Sequence, residues 1–297
     1  MPLRRFILWI AGFVLLSCSL LHAQPNCSAS MLVGTYAVRG NFTAFVTIPG
    51  STQPMAVPGV EVGIASVDYN FRATAHLFGT QGGQPTDSNV TATIDIASNC
   101  TGVLKYQFVG QNASGSNRML IVDGGNTVYT LAEQATGVQV NGGEIWQRIS
   151  TLPLDYMSAV TPCTSDMLHG TYGFVYDGNM IMTLPGSTGP VPLPFYMLGL
   201  SWTDRTGRNT GTYIANVGGT TAPAAWTTTP GATKVNADCT GSTPWSLTGT
   251  DATSAAGLDR FVILNGGKEF WSATVQGVMG APSFVGIFKR ISEQPMQ

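Results

Sequence analysis

CSASMLVGTY, Cys27 to Tyr36, returns as CTSDMLHGTY, Cys163 to Tyr172, at an offset of 136 residues. The same offset relates Asp68 to Asp204 and Arg72 to Arg208. It grows to 139 between Cys100-Thr101-Gly102 and Cys239-Thr240-Gly241. It reaches 142 for Arg118 and Arg260, for Asp123-Gly124-Gly125 and Asn265-Gly266-Gly267, and for Arg148-Ile149-Ser150 and Arg290-Ile291-Ser292. Two small insertions therefore separate two copies of one unit. A period near 140 is too long for a solenoid repeat, so each copy is a whole small domain with its own core. The reading is a first domain at 24–150, a linker at 151–162 with Pro153 and Pro162, and a second domain at 163–297.

Alternation with period two runs through both copies, broken by Gly, Asn and Asp about every ten residues, and predicts an all-β fold. Strands are expected near 34–41, 59–68, 72–79, 90–97, 103–109, 118–122, 127–133 and 143–149, with a matching set in the second copy. About eight strands per copy fit a small antiparallel barrel or a sandwich. Short consecutive hairpins, such as those at Asp68 to Asn70 and Asp123 to Asn126, favour the up-and-down barrel. No helix is expected after residue 23. Charged residues make up only 10% of the chain, while 36 Gly and 17 Pro mark a turn-rich protein.

Residues 1–23 carry Arg4 and Arg5, an apolar run from Phe6 to Leu16, and Leu21-His22-Ala23 before Gln24. About 11 apolar residues are too few to span a bilayer, and the arrangement is that of a cleaved signal peptide. Export to the periplasm, outer envelope or extracellular space is expected. Leu15-Leu16-Ser17-Cys18 is similar to a bacterial lipobox, and membrane attachment is expected only if Cys18 is acylated. Without the leader, 12 Lys plus Arg (14 less Arg4 and Arg5) face 16 Asp plus Glu, a formal charge near minus 4. Such a balance supplies no basic surface for nucleic acid.

Cys27, Cys100, Cys163 and Cys239 allow three pairings. A domain that existed singly before duplication must have carried a self-contained bridge. That selects Cys27 with Cys100 and Cys163 with Cys239, each closing a long loop and contributing about 4 kcal/mol in the loop-entropy picture. The absence of any C-x-x-C and the presence of only His76 and His169 beyond the leader argue against a metal site, and no cofactor motif occurs. Asp68 and Asp204 are read as turn caps, and Arg148 and Arg290 as packed strand residues. Glu133 and Glu144 occur only in the first copy, and neither histidine recurs, so no catalytic residues are assigned.

Between the first two strands each copy carries a Pro-rich apolar segment, Pro49 to Pro58 and Pro185 to Pro194. Gly34-Thr35-Tyr36 with Arg148, and Gly170-Thr171-Tyr172 with Arg290, resemble the Gly-x-Trp strand and closing Arg of calycin barrels, with Tyr in place of Trp. The resemblance implies lipocalin-like or allene oxide cyclase-like barrels whose long first loop folds over an open mouth. The G-T-Y opening, D-x-x-x-R hairpin, C-T-G step and terminal R-I-S are also similar to secreted bacterial proteins of unassigned function. The expected role is non-enzymatic binding of a small apolar or sugar ligand. Barrel isomerase or cyclase chemistry and a structural envelope module are the alternatives. Met55, Val57, Val191 and Leu193 on the Pro-rich segments, with Trp202 and Trp226, are the candidate ligand contacts.

Overall fold

The computed structural model describes residues 27–47, 53–136, 138–187, 189–248, 256–277 and 281–293; the leader and Cys18 lie outside them. The first copy forms strands β1 Gly34–Val46, β2 Met55–Val67, β3 Arg72–Gln81, β4 Gln84–Ile96, β5 Thr101–Phe108, β6 Ser114–Val122, β7 Thr127–Ala135 and β8 Gln139–Ser150. All pair antiparallel in chain order, and β8 returns to β1, so the barrel is closed. The second copy forms β9 Gly170–Thr183, β10 Pro190–Thr203, β11 Asn209–Val217, β12 Thr220–Thr227, the two-residue β13 Lys234–Val235, β14 Thr240–Thr248, β15 Ala256–Leu264, β16 Glu269–Gly277 and β17 Ala281–Ser292. It closes through β17 on β9 and β12 on β14, and β13 flanks β14. Closure gives each of the eight barrel strands two neighbours and so limits free edges, the usual liability of an antiparallel sheet, although β12 meets β14 only at Ala225, Trp226 and Thr227.

Two expectations are corrected. The C-terminal parts of the Pro-rich segments are strand, Met55 to Pro58 in β2 and Pro190 to Pro194 in β10: Pro58 pairs with Thr43, and Pro190, Pro192 and Pro194 pair with Thr183, Ile181 and Asn179. Pairing of β10 with β11 begins only at Phe195, and of β2 with β3 at Gly59. The prolines thus occupy overhangs with a neighbour on one side, where a missing N–H costs least. The linker, expected to be irregular, contains a helix, α1 Leu154–Val160. Seven residues are too few to show a helical period or to be stable alone, so packing of the buried Met157 holds the helix. Leu154 N donates to Ser66 Oγ at 2.9 Å and Thr35 Oγ1 to Leu152 O at 2.8 Å, binding the linker to the first barrel.

One end of each barrel gathers the residues common to both copies. The Arg148 guanidinium lies 4.9 Å over the Tyr36 ring and donates to the carbonyls of Val33 (2.6 Å), Gly125 (2.8 Å) and Met31. Tyr36 donates its hydroxyl to Gly125 O at 3.0 Å, and burial pushes that phenol up to about 12 against the opposing pull of Arg148. In the second barrel Arg290 lies over Tyr172 and donates to its hydroxyl (2.9 Å) and to Met167 O, while Tyr172 donates to Gly267 O at 2.8 Å. The paired glycines are required here. Gly125 and Gly267 have φ of +89° and +84°, and a Cβ would sit 2.3 Å from Met31 O and 1.9 Å from Met167 O. The bridges Cys27–Cys100 and Cys163–Cys239 join the same end, and Ile121 N and Ile263 N donate to the Cys100 and Cys239 carbonyls. Asp68 and Asp204 accept from main-chain N–H groups of their own hairpins and do not pair with the Arg72 or Arg208 guanidinium groups.

The two barrels pack side by side. Val60, Val62 and Phe78 from β2 and β3 meet Val262, Trp271 and Ala273 from β15 and β16, all outward-facing and at most 5% exposed. Burying a side chain of this size contributes about 1.5–3 kcal/mol. At the rim Arg260 stands 4.5 Å over the Phe78 ring and 3.3 Å from Asp87, and Arg39 stands 4.0 Å from Asp177.

Non-reduced peptide mapping should recover the bridges Cys27–Cys100 and Cys163–Cys239 and no crossed pair. Arg148→Ala should lower the unfolding midpoint, because it orphans the Val33 and Met31 carbonyls at about 1–3 kcal/mol each. Arg290→Ala should lower it less, because Met167 O keeps the Tyr172 hydroxyl as a donor. Arg148→Lys, which lacks the planar fork, should restore less than half of the Arg148→Ala loss in urea titrations.

Candidate functional site

The interior of the second barrel holds a cavity of about 670 Å³. It exists because β11 and β12 turn small residues inward: Ala215, Ala222 and Ala224 face the lumen where longer side chains would meet across it. Aromatic rings line the rest of the cavity: Tyr176, Phe195, Phe284 and Phe288 on β9, β10 and β17 are joined by ring contacts, and Trp226 on β12 packs against Phe174 and Tyr213.

Its polar groups are largely bonded to one another. Asp259, 9% exposed, accepts from Tyr176 Oη (2.7 Å), Trp245 Nε1 (2.8 Å), Thr274 Oγ1 (2.8 Å) and Ser272 Oγ (3.4 Å). Burial raises the Asp259 carboxyl above the ordinary carboxylate range, and the four donors oppose that rise. Burial and the neighbouring Asp259 raise the Tyr176 phenol well above its usual value. Asn209 accepts from Trp226 Nε1 at 2.9 Å and donates to Thr203 Oγ1 at 2.8 Å. A carboxylate with four donors has little acceptor capacity left, so the wall that a guest meets is mainly hydrocarbon and aromatic ring.

The first barrel is built differently inside. Its cavity, about 370 Å³, contains Glu61 and Glu144, hydrogen-bonded to each other. Glu144 also accepts from Trp146 Nε1 at 2.6 Å and from Thr130 Oγ1 at 3.4 Å. Burial first, then the charge of Glu144, raises Glu61 well above the carboxylate range; burial raises Glu144 against the pull of its donors. The pair therefore retains a proton that separate exposed glutamates would lose. Gly40 makes room for it, since a Cβ there would lie 2.9 Å from Glu61 Oε1. In the second copy the positions of Gly40, Glu61 and Glu144 hold Tyr176, Met197 and Gly286, and a Cβ on Gly286 would press on the Tyr176 ring at 2.6 Å. Bulk and space have thus exchanged places between the copies.

Of the six proposed contact residues, Trp226 lines the cavity of the second barrel. Val191 and Leu193 sit on the β10 overhang opposite Met182 and Met180, which line it. Trp202 is half-buried on the outer side of β10, and Met55 and Val57 sit on the β2 overhang of the first barrel, away from the second cavity. Glu133 points outward and pairs with Arg118 at 2.7 Å, so it does not join Glu144. His76 meets Asp87 at 2.6 Å on the surface. Sequence reading missed Asp259, Tyr176, Trp245 and the Glu61–Glu144 pair. Their signal is the inward parity of each strand combined with a change between copies, as in Asn117 against Asp259. Among the described residues no group of three or more His, Cys, Asp or Glu is placed to hold a metal ion.

Fold and cavity define a protein of two closed β-barrels with an aromatic internal cavity. No protein-family profile and no curated protein sequence matches the chain. Among solved structures it is similar to a protein of unknown function from the DUF3598 family of Nostoc punctiforme, at 12% identity over 91% of this chain and 100% of that one, with a TM-score of 0.23. It is also similar to a mutant of the vaccine antigen transferrin binding protein B from Haemophilus parasuis, at 9% identity over 87% of this chain and 75% of that one, with a TM-score of 0.28. At these scores neither neighbour bears on the activity of this chain.

The glutamate pair gives a pH signature. Its folded-state pKa lies above that of unfolded glutamate, about 4.3, so its contribution is fully present below that value and is lost as pH rises through the folded one. Urea midpoints should fall across this window in the native chain. Glu61→Gln should flatten the profile and raise the midpoint at neutral pH.

Proposed function

We propose that this is an exported, non-enzymatic binding protein whose second barrel takes a small apolar ligand. The observation that carries the reading is the cavity of about 670 Å³, whose aromatic wall surrounds polar groups already bonded to each other. Its size falls in the range of sites that enclose drug-sized molecules, and such sites are predominantly apolar with a few polar groups. Tyr213, whose phenol is raised by burial, lines the cavity with no hydrogen bond to its hydroxyl among the described residues. It is the natural partner for a single polar group on an otherwise apolar guest. An all-sugar ligand fits less well, since it would leave many hydroxyls without partners. Export is supported by the leader-like residues 1–23 and by two internal disulfides, which persist in oxidising compartments.

Anilinonaphthalene sulfonate and a series of medium- and long-chain fatty acids should perturb the fluorescence of Trp226 and Trp245 at one equivalent per chain. Ala224→Phe, which fills the lumen, should weaken that binding at least tenfold. If none of these probes perturbs the native protein, or Ala224→Phe binds as tightly, the cavity is not the binding site.

A further inference from the structure

The interface between the barrels joins non-equivalent faces. The first barrel contributes mainly β2 and β3, and the second contributes β15, β16 and β17, the counterparts of β6, β7 and β8. Such a contact is heterologous, and each barrel keeps the face that its sibling has used. On an eight-stranded barrel these two faces do not overlap, with β1 between them on one side and β4 and β5 on the other. The second barrel therefore still presents its β10–β11 face, and the first its β6–β7 face.

Both free faces have kept most of the apolar character of the buried interface, the exceptions being Ala37 and Val285, whose counterparts are Gly173 and Gly143. At the offset of 136, Val60, Val62 and Phe78 correspond to Tyr196, Leu198 and Ile214. At the offset of 142, Val262, Trp271 and Ala273 correspond to Leu120, Tyr129 and Leu131. The six buried residues are at most 5% exposed, and their six counterparts are 44% to 58% exposed. Nothing in a closed barrel requires large apolar residues on its outer surface, and clustered ones mark interaction sites. The rim is also partly retained. Arg260, which stacks on Phe78, has Arg118 as its counterpart on the free β6–β7 face, two-thirds exposed on its side chain. Asp87, the carboxylate partner of Arg260, corresponds to Pro223, so the free pair of faces relies on apolar contact and not on an ion pair.

We propose that chains associate head to tail: the Tyr196–Leu198–Ile214 face of one copy docks on the Leu120–Tyr129–Leu131 face of the next, repeating between chains the contact already made within each. The occupant of both faces is thus a second copy of this chain. Because the contact is heterologous, it does not end at a dimer unless the rotation closes a ring. Within a chain the linker holds the barrels at high effective concentration, so the contact between chains, lacking that tether and the Arg260–Asp87 pair, is the weaker one.

Sedimentation velocity of the purified protein should show weight-average mass rising with concentration past that of a dimer. Leu198→Glu and Leu131→Glu each place a charge on one face at an exposed position, and each variant alone should remain monomeric. An equimolar mixture of the two should give dimers and nothing larger, since one intact face of each kind remains. Circular dichroism and unfolding midpoints equal to the native protein's verify folding; Tyr196→Lys and Leu120→Lys replace either variant that fails this check. A native protein that is monomeric throughout overturns the proposal and leaves the faces to another partner. So does a single variant that dimerises by itself, which would show like faces meeting, or a mixture that stays monomeric.

Discussion

The stacking of Arg148 on Tyr36, repeated by Arg290 on Tyr172, is the interaction on which each barrel's closure depends. A barrel of eight strands must bring its last strand to its first, and these arginines sit on the last strand while their tyrosines sit on the first. Arg148 also gathers carbonyls from the short segment ahead of the barrel and from the turn between the sixth and seventh strands, while Arg290 reaches the Met167 carbonyl and leaves the Gly267 carbonyl to the Tyr172 hydroxyl. Planar, permanently charged donors suit that role, because one group satisfies several acceptors that would otherwise be buried unpaired. The Gly-Gly turns and the cysteines belong to the same assembly. Cys100 and Cys239 have φ of +68° and +71°, a turn geometry both copies share. The recurring Gly-Thr-Tyr, cysteine, Gly-Gly and terminal Arg residues thus belong to closure, which accounts for their recurrence without any appeal to a ligand, whereas Arg118 and Arg260 lie on the outer wall.

Freed from that requirement, the interiors diverged. The first barrel uses the space above Gly40 for a proton-sharing glutamate pair; the second fills it with Tyr176 and ties that phenol to Asp259. Each solution is internally consistent. A carboxylate enclosed without a cation needs either several donors, as Asp259 has, or a proton, as Glu61 and Glu144 share. The second barrel encloses about 670 Å³ lined mainly by aromatic and aliphatic side chains, with alanines along β11 and β12. Duplication therefore left one shell with two interiors of different chemistry.

The outer surfaces diverged less than the interiors. Joining two copies through unlike faces buried one face of each kind and left the other kind open on each barrel, with its apolar residues in place. Arg39 and Arg260 show how a rim position changes meaning with its neighbour: Arg260 rests on Phe78 across the interface, while its counterpart Arg118 pairs with Glu133 on its own barrel.

Much of this was legible in the chain. Period-two alternation and turn residues located all eight strands of the first copy to within a few residues at most ends, because inward and outward side chains of a barrel wall must differ in polarity. Duplication selected the disulfide pairing, and the recurring Arg and Gly-Gly marked the closed end. Strand overhangs were misread as loops, since proline is a strand breaker only where neighbours flank both sides. Helix α1 was invisible because its stability comes from where Met157 is buried and not from its own pattern. Sequence by itself determined the repeat, the strand pattern and the covalent bridges, all of which depend on local periodicity or on comparing two copies. Only the tertiary structure decided which residues share a lumen, that Glu61 meets Glu144 and Tyr176 meets Asp259, and which outer faces are covered. Those relations depend on register and closure across strands up to more than 80 residues apart, and a single sequence does not encode them in any local pattern.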